Sequence, residues 1–216
     1  MRYSIFSNEC VTWVLHKLYY PEMNEMFIKY TNPFISSWFP EDDQFLRLCE
    51  NHKYYTSIEP RFGDPICYNW EQISKIKRNT NAIYSNNGNY PVMFLNDIEI
   101  HWTHDKSDSL VTQKYKGRLD YSSNYEPIFL WSDAQLFNIH TNESRNNLLR
   151  RFNKINYKTI FLTKYPEEEY RDDITIVKFI PEWAGRQQND RNESHLLTWY
   201  DNFHLAPIFK SLMENF

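Results

Sequence analysis

Pro127-Ile128-Phe129-Leu130-Trp131 is a short apolar run with no charged or amide residue inside it. Just before it, in residues 107–122, Leu110, Val111, Tyr115 and Leu119 recur at three- to four-residue spacing. That spacing predicts a helix, and the compact run after it predicts a strand. A strand apolar at every position suits a sheet covered on both faces, the usual setting of parallel strands. The alternation continues outward. Residues 143–153 read as a helix, and 158–163 and 174–180 as strands. Toward the N-terminus, 2–7 reads as a strand and 10–20 as a helix ended by Pro21. Glu41-Asp42-Asp43, followed by Phe45, Leu46, Leu48 and Cys49, reads as a second helix with acids at its positive end. Residues 54–58 and 92–102 are strand-like, 70–78 a short helix, and 193–215 a helical tail. Strands alternating with helices predict an α/β fold: a mainly parallel twisted sheet flanked by helices, Rossmann-like and three-layered. The length, 216 residues, fits a single domain over 1–216. The loop signal Ser85-Asn86-Asn87-Gly88-Asn89-Tyr90-Pro91 divides it into an N-terminal part, 1–85, and a C-terminal part, 90–216.

Composition excludes several function classes. Lys and Arg number 24 against 28 Asp and Glu, a net charge of −4. That balance argues against non-specific nucleic-acid binding, which needs clustered positive charge. No apolar stretch reaches the roughly 18–20 residues of a membrane span. The first residues carry no long apolar run, so no signal peptide is expected. Three cysteines are too few, and odd in number, for a disulfide scaffold, and a reducing cytoplasmic setting is expected. Only 4 glycines occur, and no glycine-rich phosphate loop is present. Aromatics make up 18% of the chain and Asn is abundant. That is the lining of a sugar-binding cleft, or the codon usage of an AT-rich genome, and composition leaves both open.

The densest candidate for chemistry is Asp97-Ile98-Glu99-Ile100-His101-Trp102-Thr103-His104-Asp105. Side chains alternate along a strand. Extended, Asp97, Glu99 and His101 share one face, and Ile98, Ile100 and Trp102 the other. Two carboxylates and an imidazole in a row suit acid–base catalysis or a divalent metal, Mn or Mg, on Asp97 and Glu99. They equally suit a half-buried strand with a solvated polar face. No other cofactor is evident.

Cys10 is the second candidate. It sits at a strand-to-helix junction, where the helix N-terminus favours thiolate. With His101 or His104 it would form a cysteine–histidine nucleophile pair. A small cysteine packed under the helix is the alternative. Ligands of α/β folds sit beyond the carboxyl ends of the strands. The residues there are Ser7, Asn8 and Cys10, then Ser132 and Asp133, then Thr163 and Lys164. Trp102 and Arg118 complete the candidate ligand contacts.

These segments resemble a bacterial family that carries a domain of unknown function, number nineteen-nineteen. Its members are often labelled exopolysaccharide-biosynthesis proteins. Phe6-Ser7-Asn8-Glu9-Cys10 resembles the family's opening Ser-Asn-Asn-Cys element. Asp97-Ile98-Glu99-Ile100-His101, with His104 following, resembles its central motif. Tyr115-Lys116-Gly117-Arg118 with Ile128-Phe129-Leu130, and Phe152 to Thr163, resemble its later helix and strands. The sequence departs from the pattern at Glu9, where the family has an amide, at Val11 and Thr12, where it has small residues, and at Asp105, where it has an aromatic. A fainter likeness joins Cys10, Pro33-Phe34 and His101 or His104 to papain-like cysteine peptidases.

The resemblance implies surface-glycan assembly. The leading expectation is a glycosyl- or acyl-type transferase acting on a sugar or nucleotide sugar through Asp97, Glu99 and His101. A Cys10-dependent hydrolase or transferase and a non-catalytic glycan-binding protein are the alternatives.

Overall fold

A computed structural model describes residues 3–8, 33–34, 37–73, 90–132, 142–163 and 175–178. In chain order these form β1 (Tyr3–Ser7), α1 (Asp42–Glu50), α2 (His52–Thr56), β2 (Arg61–Phe62), β3 (Val92–Leu95), β4 (Ile98–His101), α3 (Asp108–Ser122), β5 (Glu126–Ser132), α4 (Asn142–Phe152), β6 (Lys158–Thr163) and β7 (Thr175–Lys178). The expected helix 10–20, most of the expected helix 70–78 and the tail 193–215 lie outside the described residues. The first turn of 70–78 is helical over Trp70 to Ile73.

The fold is mixed α/β. Four strands form a sheet in the order β1-β5-β6-β7, every pair parallel. Ile5 lies beside Ile128, and Leu130 beside Ile160. A second, antiparallel sheet holds β2, β3 and β4. α1 carries Asp42 and Asp43 in its first turn and buries Phe45, Leu46, Leu48 and Cys49. α3 begins where the Ser107 hydroxyl accepts the Leu110 backbone N–H, which satisfies one orphan donor of the first turn.

Two expected strands are corrected. Residues 54–58 are not a strand: His52–Thr56 is a short helix, α2. The chain turns at Asn51, whose carbonyl accepts the N–H groups of Tyr54 and Tyr55, and this local bonding overrides the β preference of the tyrosines. Residues 92–102 are not one strand but a hairpin. Val92 pairs with His101 and Leu95 with Ile98, across a two-residue turn at Asn96 and Asp97. Asn96 has φ 57°, a left-handed conformation that asparagine tolerates better than most residues.

One apolar core joins both sheets. Phe6, Phe129 and Phe161 of the parallel sheet belong to the same buried cluster as Met93, Ile98 and Ile100 of the hairpin. Removing each such side chain from water contributes roughly 1.5–3 kcal/mol. Among the described residues no helix is long and apolar enough to cross a membrane.

Candidate functional site

The alternation of β4 brings Glu99 and His101 together. Glu99 Oε1 lies 2.6 Å from His101 Nε2. His101 Nδ1 lies 2.9 Å from the Tyr90 hydroxyl. The other carboxylate oxygen of Glu99 accepts the backbone N–H groups of Ile66 and Cys67, each at 2.9 Å. His101 is wholly buried and Glu99 nearly so, at 0% and 2% exposed. Burial pushes the Glu99 carboxyl up. The hydrogen bond from His101, the Cys67 N–H, the His101 charge and the Ile66 N–H together outweigh it and hold the group below its ordinary range. Glu99 therefore stays ionised and faces His101 Nε2, while Nδ1 on the other side of the ring meets the Tyr90 hydroxyl.

The surrounding chain fixes this network. Trp38 and His101 exchange two backbone hydrogen bonds of 2.8 Å, and the indole packs edge-on to the imidazole at 4.7 Å. Gln44 of α1 accepts the Glu99 backbone N–H at 2.8 Å and donates to Cys67 Sγ at 2.9 Å. Cys67 is no nucleophile at neutral pH. Burial first, then the charge and hydrogen bond of Glu99, push its thiol up to about 12.

Asp97 does not join Glu99 and His101. It occupies the hairpin turn, where Arg47 pairs with it and the Tyr55 hydroxyl donates to it at 3.1 Å. A turn breaks the alternation that would place it on their face. Asp97 and Glu99 thus serve different partners, and among the described residues no three His, Cys, Asp or Glu side chains gather as a metal would need. Trp102 is fully buried and belongs to the apolar core cluster. His104 is exposed, and Arg118 is half-buried on α3. Cys10, Asp133 and Lys164 lie outside the described residues.

The start of the chain does approach the middle. Ser7 and Asn8, at the carboxyl end of β1, are both buried. The Phe39 N–H donates to the Asn8 carbonyl at 3.4 Å, while its neighbour Trp38 pairs with His101. Two adjacent residues therefore bridge Asn8 to the imidazole. Asp42 is a member that the sequence reading missed. Its buried carboxylate accepts from Asn8 Nδ2 at 3.4 Å and from the Trp131 indole N–H at 3.0 Å. It ties the ends of β1 and β5 to α1. Acids at a helix start are commonplace, so its sequence position alone did not mark it. Tyr90, Cys67 and Gln44 were missed as well, because each reaches Glu99 or His101 through a long-range contact.

The chain matches the family described as domain of unknown function DUF1919, across residues 1–202. It belongs to this family. The matched stretch takes in the opening Ser7-Asn8 segment and the β4 motif, so the DUF1919 region contains the whole Glu99–His101 network. No curated protein matches the chain.

Proposed function

We propose that this DUF1919 chain is a cytoplasmic transferase of surface-glycan biosynthesis, acting by acid–base chemistry on a sugar or nucleotide sugar, on a Rossmann-like three-layer frame. One observation carries the acid–base part: the unbroken chain of hydrogen bonds Glu99–His101–Tyr90. An ionised Glu99 orients the imidazole and stabilises the imidazolium that forms when His101 takes a proton. Tyr90 Oη, bonded to Nδ1, is the point where a sugar hydroxyl would hand its proton in. The resemblance to exopolysaccharide-biosynthesis proteins supports the substrate class.

The test is a melting-temperature panel of nucleotide sugars with and without Mn²⁺ or Mg²⁺, followed by transfer assays on those that stabilise. Turnover should fall about 10²–10⁴-fold in His101→Gln and Tyr90→Phe. Full turnover in both variants, or no nucleotide sugar that binds, would sink the proposal.

The complete burial of His101 favours a second reading, a glycan-binding protein whose network is only structural. That reading expects sugar binding to survive His101→Gln with no transfer by the wild type. The thiol route rests on Cys10, since burial holds the Cys49 and Cys67 thiols protonated. Selective loss of activity on alkylation of Cys10 would favour it.

A further inference from the structure

A surface concavity shares no residue with the Glu99–His101 network. It lies where the end of α1, α2 and the turn between α4 and β6 meet, and it encloses about 550 Å³. That volume is within the roughly 300–1,000 Å³ of small-molecule sites.

Its charge runs against the rest of the chain. Lys53, Arg151 and Lys154 line it, with Glu50 as the one carboxylate among its lining residues. The whole chain carries −4. Arg151 is already committed. Its Nε and Nη2 each donate to Glu50 at 2.9 Å, and its Nη1 pairs with Asp43. Lys53 and Lys154 are exposed, and neither ammonium has a carboxylate partner among the described residues. Arg151 therefore braces the wall, while two lysines remain to meet an anion.

The remaining lining suits hydroxyls and ring faces. Asn51 and Asn156 contribute side-chain amides, and Tyr54 and Tyr157 contribute aromatic rings. The Tyr157 ring is held upright by an edge contact with His52 at 4.7 Å and 89°. Burial, then the charge of Lys53, lowers the His52 imidazole below 6.5, so it stays neutral at neutral pH and adds no charge.

We infer that this cleft binds an anionic saccharide, a sugar that bears a phosphate or a carboxylate. Lysine ammonium groups are point charges that accept either anion without the fixed fork of arginine. Amides bond the hydroxyls, and phenol rings cover the apolar sugar face. The inference stands apart from the transferase proposal, because no residue is common to the two.

Calorimetric titration of the whole chain tests it, with glucose 1-phosphate, glucuronate, glucose and inorganic phosphate as probes. Saturable binding of glucose 1-phosphate or glucuronate is expected, and whichever binds tighter identifies the anion. Lys53→Ala with Lys154→Ala should weaken it about tenfold or more, with melting temperature unchanged because both side chains are exposed. Four results would overturn it: no saturation by either acidic sugar up to about 10 mM, equal affinity for glucose, equal affinity for inorganic phosphate, or wild-type affinity in the double lysine variant.

Discussion

Glu99 is a buried charge whose cost is met by three hydrogen-bond donors: the imidazole and two backbone N–H groups. Glu99→Ala leaves all three without their acceptor, so it should destabilise by about 3–5 kcal/mol. Glu99→Gln keeps the volume but turns an NH₂ toward a donor, and should cost about 2 kcal/mol. Urea denaturation of the two variants checks the order, and a loss under about 0.5 kcal/mol for the alanine would show the network to be slack. The pH dependence has a defined sign. The folded Glu99 pKa lies below its ordinary 4.5, so its stabilisation is full above 4.5 and is lost as pH falls through the folded value. The wild type should therefore lose stability on acidification below 4.5 more steeply than Glu99→Gln, and parallel curves would refute the assignment. At this scale the sequence was legible where a period governed. Two-residue alternation paired Glu99 with His101. It failed at Asp97, where the strand had already ended, and it could not reach Tyr90, Gln44 or Cys67, whose contacts depend on chain folding rather than spacing.

Elements were legible where a run was long or uniformly apolar, as with α3, β5 and β6. The two corrected segments are short ones in which a local turn decides the outcome. The run from Val92 to Trp102 reads as continuous because apolar residues flank Asn96-Asp97 on both sides. The asparagine is the signal for the hairpin, since asparagine accepts φ 57° at lower cost than most residues. Asn96→Gly should be near neutral. Asn96→Val should destabilise by about 1–2 kcal/mol, since a β-branched residue is strained in that conformation. Thermal melts of the two variants separate them, and equal melting temperatures would show that the turn relaxes. In α2 the equivalent anchor is His52, whose ring packs edge-on against Phe6, Phe129 and Tyr157. Burial, then Lys53, lowers its pKa, so its neutral form supports the fold above 6.5 and that support fades as pH falls below it. His52→Phe keeps the aromatic packing and should flatten the stability profile on the acid side of 6.5. An unchanged slope would place that titration elsewhere.

The whole molecule poses a question that neither sheet answers alone. The strand pattern announced the parallel sheet, whereas within Val92 to His101 the turn asparagine, Asn96, was the one mark of a separate antiparallel one. What joins them is shared burial: Phe129 and Ile100 belong to one apolar cluster, and α1 packs Phe45, Leu46 and Leu48 into it. α1 also bonds both sides, through Asp42 to Trp131 and through Gln44 to the Glu99 backbone. A core held in common makes the free energy of each sheet depend on the other, so unfolding should be cooperative. Phe129→Ala in the parallel sheet should lower the stability of the whole by about 3–5 kcal/mol, and Ile100→Val in the hairpin by about 1 kcal/mol. Both should move the same transition, whether followed by far-ultraviolet circular dichroism or by tryptophan fluorescence. If Phe129→Ala instead split the curve, with the hairpin melting at its original midpoint, the two sheets would be independent units. The bridge from Asn8 through Trp38 and Phe39 to His101 would then have no common frame to hold it.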